Sequence, residues 1–348
     1  MADSAVAENA AAEAIPVTIL TGFLGAGKTT LLNHILGAAH GYRIAVIENE
    51  FGPVNIDSEL LVRESAGVVE LTNGCLCCTV REDLARTLLD LKMRRDSCEL
   101  LFDRIMIETT GVADPGPVIQ TFFGAPELRD AFLLDAVLTV VDALHAPRQF
   151  DEQPVLQKQV GFADRLLLSK TDLVDEAALE AICTRLAAIN PRAPMRVLER
   201  GAVDLDFIID IRGFNLNETL LAEEAPVSGR MKYRPASAKE VSFRTAQGDE
   251  IGSLLLEHPG MVDLDRIGEF VQDAIDRFGD DLLRYKGVLA VPGQRQKLVF
   301  QGVHRLAGFD LGEDWGEGES LRSRIVVIGR KLPVEQLRNG FAACVLPG

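Results

Sequence analysis

Short apolar runs alternate with stretches of helical spacing along the chain up to residue 198. Apolar runs predict strands, and apolar residues recurring every three or four positions predict helices. Strands that alternate with helices form a parallel sheet covered on both faces. Polar clusters follow several of these strands, and we expect them to converge because the carboxyl ends of parallel strands share one edge. The predicted strands are 16–21, 43–47, 67–71, 104–107, 136–141, 165–168 and 195–198, and the predicted helices are 29–36, 81–93 and 175–189.

The pattern changes in the C-terminal third. Residues 213–238 carry polar, glycine and proline residues without a clear period, and we predict a linker there. Few helices follow among several strands, which is typical of a smaller α+β domain. We therefore predict an α/β domain over 15–212 and an α+β domain over 239–348. The strands predicted in the second domain are 239–245, 287–291, 297–301 and 324–328, and its helices are 264–278 and 335–342.

Composition narrows the class of protein. A chain of 348 residues suggests two domains. The net charge of −16 argues against a general binder of nucleic acids or anionic membranes. No apolar run reaches the roughly 18 residues of a membrane span. Residues 1–14 are alanine-rich and acidic and lack the features of a secretory signal, so we expect a disordered lead-in to a cytoplasmic protein.

The segment from Gly22 to Thr29 fits the phosphate-loop pattern G-x-x-x-x-G-K-[ST], between a predicted strand and a predicted helix. Its glycines allow backbone N–H groups to point at phosphates. Lys28 would neutralise charge on the β- and γ-phosphates, and the Thr29 hydroxyl would ligate Mg²⁺. Such a site suits an acidic chain, because it uses local N–H dipoles and one lysine. The predicted phosphate-binding residues are Gly22, Gly25, Ala26, Gly27, Lys28 and Thr29.

Acidic residues follow two neighbouring predicted strands. Glu108 ends an apolar strand and precedes Gly111, so it could hold the Mg²⁺ shell or a water while Gly111 approaches the γ-phosphate. Asp57 lies in the loop after the second strand, where it could orient the attacking water or reach the metal. A solvated loop acid is an equally good interpretation of Asp57. The predicted catalytic residues are Lys28, Asp57 and Glu108.

Ser169-Lys170-Thr171-Asp172 follows another apolar strand and resembles the N-K-x-D element of GTPases. In that element the aspartate accepts hydrogen bonds from guanine N1–H and N2–H₂, and the lysine stem packs over the base. The pattern favours guanine recognition by Lys170 and Asp172. Ser169 replaces the asparagine, so one supporting hydrogen bond is expected to differ. The alternative is a helix start capped by Asp172.

Three cysteines, Cys75, Cys77 and Cys78, lie within four residues after the third strand. Thiolates suit Zn²⁺ and other soft or borderline metals, and three of them leave one tetrahedral position open. Glu48, a water or a ligand from a client protein could fill that position. The C-x-x-C spacing of Cys75 and Cys78 also fits a redox pair, and buried core cysteines are a third possibility. The isolated cysteines, Cys98, Cys183 and Cys344, are predicted to pack in the core.

Together these motifs resemble the CobW-like family of P-loop GTPases. The resemblance implies GTP hydrolysis linked to delivery of a transition metal, most often zinc, with Co²⁺ or Ni²⁺ as alternatives. It adds Thr30 to the phosphate-binding residues and makes Glu48 an oxygen ligand beside the three cysteines. Two departures are the absence of a histidine-rich stretch and Pro53, at a position where relatives often place an acid. The shared segments are 20–33, 47–52, 71–78, 108–117, the region of Lys170 and Asp172, 282–287, 300–305 and 315–316.

The leading hypothesis is a GTP-switched metallochaperone that transfers its metal to an unidentified metalloprotein client. We expect slow intrinsic hydrolysis, because no arginine finger is identifiable. A nucleotide-dependent homodimer is a further expectation. The runner-up is a non-catalytic zinc sensor or scaffold regulated by GTP. A phosphotransferase is the third hypothesis, and it would need an acceptor pocket and a base that the sequence does not reveal.

Overall fold

The computed structural model describes residues 14–49, 69–72, 80–214, 250–316 and 318–346. Several predictions lie outside these residues. They are the lead-in before residue 14, most of the linker, the strand at 239–245, and residues Pro53, Asp57, Cys75, Cys77 and Cys78.

Seven parallel strands form the larger sheet of the described residues. The strand order is β3-β2-β4-β1-β5-β6-β7, and every neighbouring pair runs parallel. The central strand β1 therefore lies between β4 and β5, and the segments after all three strands emerge at one edge. The strands are β1 (Ile15–Gly22), β2 (Ile44–Asn49), β3 (Val69–Thr72), β4 (Arg104–Thr109), β5 (Phe132–Asp142), β6 (Arg165–Ser169) and β7 (Met195–Val197).

Helices cover both faces of this sheet. Alternate residues of one strand belong to different buried clusters, as Ile19 and Leu20 do on β1. Burial on both faces explains why these strands are continuous apolar runs in the sequence. The helices are α1 (Lys28–Gly37), α2 (Val80–Asp96), α3 (Gly116–Gly124), α4 (Pro126–Ala131), α5 (Ala146–Glu152), α6 (Pro154–Phe162) and α7 (Glu176–Ile189).

An antiparallel sheet with the order β11-β10-β9-β12-β8 forms the C-terminal part. Two helices cover one of its faces through a separate apolar cluster that includes Val271 and Phe341. The predicted fold class, an α/β unit followed by a smaller α+β unit, is confirmed. The elements are β8 (Ile251–His258), α8 (Leu264–Phe278), β9 (Leu282–Leu289), β10 (Gln296–Val303), β11 (Leu306–Asp314), β12 (Ser323–Arg330) and α9 (Val334–Ala343).

The opposite face of the C-terminal sheet packs against helix α6. Gly161 lies against Leu283 and Ile328, and these residues belong to the same buried cluster as Val160. The two sheets are therefore joined by a continuous apolar core. Some bounds and elements differ from the sequence expectations: the strand predicted at 287–291 is wrong in its bounds, since β9 ends at Leu289, and β8, β11 and helices α3 to α6 were not predicted.

Candidate nucleotide and metal site

The turn between β1 and α1 brings the phosphate-loop residues together. Gly27 has a φ of 101°, in the left-handed region that favours glycine, and it caps α1. Lys28 Nζ donates hydrogen bonds to Gly22 O at 2.9 Å and to Phe23 O at 3.3 Å. Burial lowers the pKa of Lys28, and the nearby Glu108 carboxylate opposes that shift. The loop thus folds around its lysine at the N-terminus of a helix, where backbone N–H groups favour an anion.

The two residues predicted to hold Mg²⁺ lie next to each other. Thr29 Oγ1 donates a hydrogen bond to Glu108 Oε1 at 3.2 Å, although 79 positions separate them in the sequence. Thr29 and Thr30 are both exposed in the first turn of α1. A hydroxyl and a carboxylate supply the oxygen ligands that Mg²⁺ prefers, so these two residues fit the ion.

Strand register extends this pair toward the metal motif. Glu48 on β2 is paired with Glu108 on β4 and with Thr72 on β3. Neighbouring strands lie about 4.8 Å apart, so the three residues form one row across the sheet. Glu48 is exposed, and Thr72 is the last described residue before the segment that contains the three cysteines. The row therefore runs from the predicted Mg²⁺ acid to the end of β3, three positions before the first cysteine in the sequence.

The cysteines of that motif lie outside the described residues, so their ligand role stays a prediction. In the parts of the chain that are described, no group of three histidine, cysteine or acidic side chains could hold a metal ion. Cys183 and Cys344 are buried, as predicted. The prediction for Cys98 was wrong: this residue is exposed in the turn after α2, where its φ of 59° leaves the helix.

The segment after β6 is joined to the phosphate loop. Ser169 Oγ donates a hydrogen bond to Ala26 O at 2.6 Å, so the serine that replaces asparagine does support the loop. Asp172 is exposed in a short 3₁₀ turn. Helix α7 is capped by Asp175, whose side chain accepts a hydrogen bond from Ala178 N, so Asp172 is not its cap. The alternative interpretation, in which Asp172 caps the start of the helix, is therefore wrong for α7.

Asp142, at the end of β5, anchors the lysine of the same segment. Its carboxylate accepts hydrogen bonds from Lys170 Nζ at 2.6 Å, His145 Nδ1 at 2.8 Å and Leu144 N at 3.0 Å. Burial alone would raise the pKa of Asp142, but these donors outweigh it and hold the pKa below its usual value. No role was assigned to this strand-terminal acid from the sequence. Its pairing with Ser169 across β5 and β6 brings it close to Lys170, and this pairing is visible only in the fold.

The loop after β4 contacts the phosphate loop directly. A Cβ added at Gly111 would lie 2.5 Å from Leu24 N and 2.7 Å from Leu24 Cα. Only glycine fits this close approach of two backbones. The predicted γ-phosphate residue thus lies against the predicted phosphate-binding loop.

Comparison with known proteins places the chain in a family. The model for the CobW/HypB/UreG nucleotide-binding domain matches residues 16–197. The chain belongs to the CobW/HypB/UreG family. The model for the cobalamin synthesis protein cobW C-terminal domain matches residues 251–345. The predicted resemblance is therefore confirmed over both sheets.

Curated relatives match almost the whole chain. The zinc chaperone YjiA of Escherichia coli (strain K12) is 44% identical over 328 residues, which cover 94% of this chain and 98% of the relative. The zinc chaperone CobW of Pseudomonas aeruginosa is 35% identical, covering 94% and 92%. The crystal structure of Zn(II)-bound YjiA GTPase from E. coli matches with a TM-score of 0.75 and 40% identity, covering 96% of this chain and 99% of that one.

No helix in the described ranges combines the length and the apolar character needed to cross a bilayer.

Proposed function

We propose that this CobW-family protein is a GTP-hydrolysing metallochaperone. It converts GTP and water to GDP and phosphate, and the nucleotide state controls a transition-metal cargo held at Cys75, Cys77 and Cys78. The observation that carries the proposal is the row of Thr72, Glu48 and Glu108, with Glu108 bonded to Thr29. That row supports the proposal because it connects Glu108 to Thr72, and the cysteine motif follows Thr72 in the sequence.

Nucleotide binding follows from the edge of the larger sheet. Residues 22–30 would enclose the phosphates, with Lys28 as the cation for the β- and γ-phosphates. Lys170 and Asp172 would recognise guanine. Thr29 and Glu108 would hold Mg²⁺, which when bound neutralises phosphate charge. Asp57 would orient the attacking water. We expect a low intrinsic rate, since no arginine finger was identified in the sequence.

The cargo is Zn²⁺ in this proposal, with Co²⁺ or Ni²⁺ as alternatives. The names of the relatives support zinc: two are zinc chaperones, and the matched crystal structure is that of a Zn(II)-bound GTPase. Three thiolates and the Glu48 carboxylate would complete a tetrahedral site. A metalloprotein client would receive the ion, in the cytoplasm. A nucleotide-dependent homodimer stays a prediction.

Coupling between the two sites is reciprocal. If GTP tightens metal binding by some factor, the metal must tighten GTP binding by the same factor. Glu108 contacts Thr29 on one side and neighbours Glu48 on the other. A nucleotide that changes how Glu108 is held therefore changes the electrostatic environment of the Glu48 ligand.

Zinc affinity, measured by chelator competition with Mg²⁺-GTP, with Mg²⁺-GDP and without nucleotide, tests the proposal. We expect GTP to tighten Zn²⁺ binding severalfold over GDP, and Cys77→Ala to abolish this difference. Equal affinity in all three states would instead favour the GTP-regulated sensor or scaffold.

Glu48 can be tested in the same assay. Glu48→Gln should reduce the GTP effect on zinc affinity. In the proposal the nucleotide state acts on the metal through Glu48, and the amide is a poorer ligand than the carboxylate. The matched control is Glu176→Gln, an exposed acid in the first turn of α7. If both variants behave like the wild type, the row across the sheet does not transmit the nucleotide state.

A further inference from the structure

Helix α6 supplies the hydrogen bonds that hold the loop after β4. Gln159 is fully buried, and its Nε2 donates to Gly111 O and to Ala113 O, each at 3.1 Å. One side-chain amide thus bridges both ends of the short segment from 111 to 113. Because Gly111 lies against Leu24, these two hydrogen bonds hold the segment against the phosphate loop.

Neighbouring residues make the same connection. Lys158 Nζ, one position earlier on α6, pairs with Asp114 Oδ2 at 2.6 Å, and Asp114 Oδ1 accepts from Gly116 N at 2.9 Å. These contacts continue the attachment of α6 up to the start of α3.

The C-terminal sheet immobilises the helix from its other side. Gly161 lies against Leu283, and Gln157 Oε1 accepts hydrogen bonds from Glu250 N at 3.0 Å and Ile251 N at 3.3 Å. Helix α6 is therefore held between the loop after β4 and the C-terminal sheet. A rigid support of this kind fixes the side chain that extends from it.

Two buried polar side-chain atoms, one on α6 and one just before the 111–113 segment, lack a hydrogen-bond partner among the described residues. These atoms are Gln159 Oε1 and Thr110 Oγ1. Buried polar groups are nearly always paired, so an unpaired one calls for an explanation.

We propose that Gln159 is a positioning residue for GTP hydrolysis, which holds the loop after β4 so that Gly111 faces the γ-phosphate. This inference rests on the proposed GTPase function and adds a residue to it. Gln159 acts through the loop backbone and does not touch the nucleotide.

The test compares Gln159→Leu with Gln157→Leu, measuring kcat and KM for GTP together with the affinity for GDP. Gln157 is the matched control, because it is also a buried glutamine of α6 but bonds toward the C-terminal sheet. For Gln159→Leu we expect kcat to fall about tenfold, because a loop released from Gln159 would lose about one hydrogen bond to the transition state. GDP affinity should stay within about twofold. Gln157→Leu should leave kcat within about twofold of the wild type while lowering the melting temperature.

A pH profile of Gln159→Glu separates positioning from packing. The carboxylate would place two acceptors beside two carbonyl oxygens, so activity at about pH 8 should fall below that of Gln159→Leu. Such a buried carboxyl has a raised pKa, and protonation restores one donor. Its activity relative to the wild type should therefore recover as the pH falls toward about 5.5. The leucine variant should show no such recovery.

Two results would overturn the inference: an equal loss of kcat in both leucine variants, or a flat relative pH profile for Gln159→Glu. The wild-type rate alone tests the proposed function. If it is zero, the variants are compared by their affinity for a non-hydrolysable GTP analogue and for GDP. Selective loss of the analogue by Gln159→Leu then supports the positioning role, and an equal change for both nucleotides contradicts it.

Discussion

Asp142 is a buried acid that anchors Lys170, the lysine predicted to recognise guanine. Its side chain is 2% exposed and accepts Lys170 Nζ at 2.6 Å. We expect Asp142→Asn to weaken both GTP and GDP binding by about tenfold, since a charge-assisted hydrogen bond contributes about 1.5–3 kcal/mol and part of it remains with the amide. Fluorescence titration with both nucleotides measures this.

The matched control is Asp151→Asn. Asp151 also pairs with a cation, Arg185, but its side chain is 62% exposed. Exposed pairs contribute little, so nucleotide affinity should be unchanged. If Asp142→Asn binds both nucleotides like the control, Lys170 does not depend on its anchor for guanine recognition.

Local sequence motifs predicted much of the candidate site at the carboxyl edge of the larger sheet. The residues that were missed act through partners that are distant in the sequence. Residues 22–30 and 169–172 form contiguous motifs, so they can be recognised from the sequence alone. Asp142 and Gln159 act through partners 28 and 46–48 positions away, at Lys170 and at 111–113. Nothing in their immediate neighbourhood identifies such partners.

At the scale of elements, the approach of the loop after β4 to the phosphate loop leaves no room for a side chain. We expect Gly111→Ala to lower GTP affinity by more than about tenfold, because its Cβ would meet Leu24 N at 2.5 Å and Leu24 Cα at 2.7 Å and push the two loops apart. Isothermal titration with GTP measures the loss, and circular dichroism checks that the variant stays folded.

Gly37→Ala at the end of α1 is the control for this substitution. A Cβ there meets nothing within 4 Å, and alanine favours helix. Its GTP affinity should equal that of the wild type. Wild-type affinity in Gly111→Ala would mean that the two loops can separate without consequence for the nucleotide.

Helix α6, which was not predicted, and strand β9, whose bounds were predicted wrongly, both carry polar residues in the interior. Helix α6 includes Gln157 and Gln159, which are buried, and strand β9 includes the buried Arg284. Polar side chains usually indicate exposure, so the apolar period is broken in both segments. Their hydrogen-bond partners lie far away in the sequence, at Gly111 and Ala113 for Gln159 and at Asp164 for Arg284. A local pattern does not contain these partners.

At the scale of the whole molecule, buried charges join the two sheets beside the apolar core. Arg284 of β9 and Asp164 before β6 pair at 2.5 Å, with side chains only 6% and 8% exposed. Arg284 also donates to Phe162 O at 2.7 Å and lies over the ring of Phe214. Burial alone would raise the pKa of Asp164, but Arg284 and Lys286 outweigh it and lower the pKa.

Removing the arginine should therefore be costly. We expect Arg284→Met to lower the free energy of unfolding by about 3–5 kcal/mol at neutral pH, because it leaves a buried carboxylate without its main partner. Urea denaturation measures the change. The control is Arg330→Met, in the same sheet, which breaks an ion pair with Asp281 whose side chains are 50% and 42% exposed, and it should cost less than about 1 kcal/mol.

The pH dependence identifies the carboxylate as the cause. In the wild type the lowered pKa of Asp164 contributes stability that is present above the unfolded value of 3.8 and is lost as the pH falls through the lower folded value. In Arg284→Met the pKa of Asp164 should rise, because burial then dominates. Protonation relieves the buried charge, so the stability deficit of the variant should be smaller at about pH 5 than at about pH 7. A deficit that is the same at both pH values would assign the loss to packing against Phe214, and a deficit no larger than that of Arg330→Met would show that this buried pair does not hold the two sheets together.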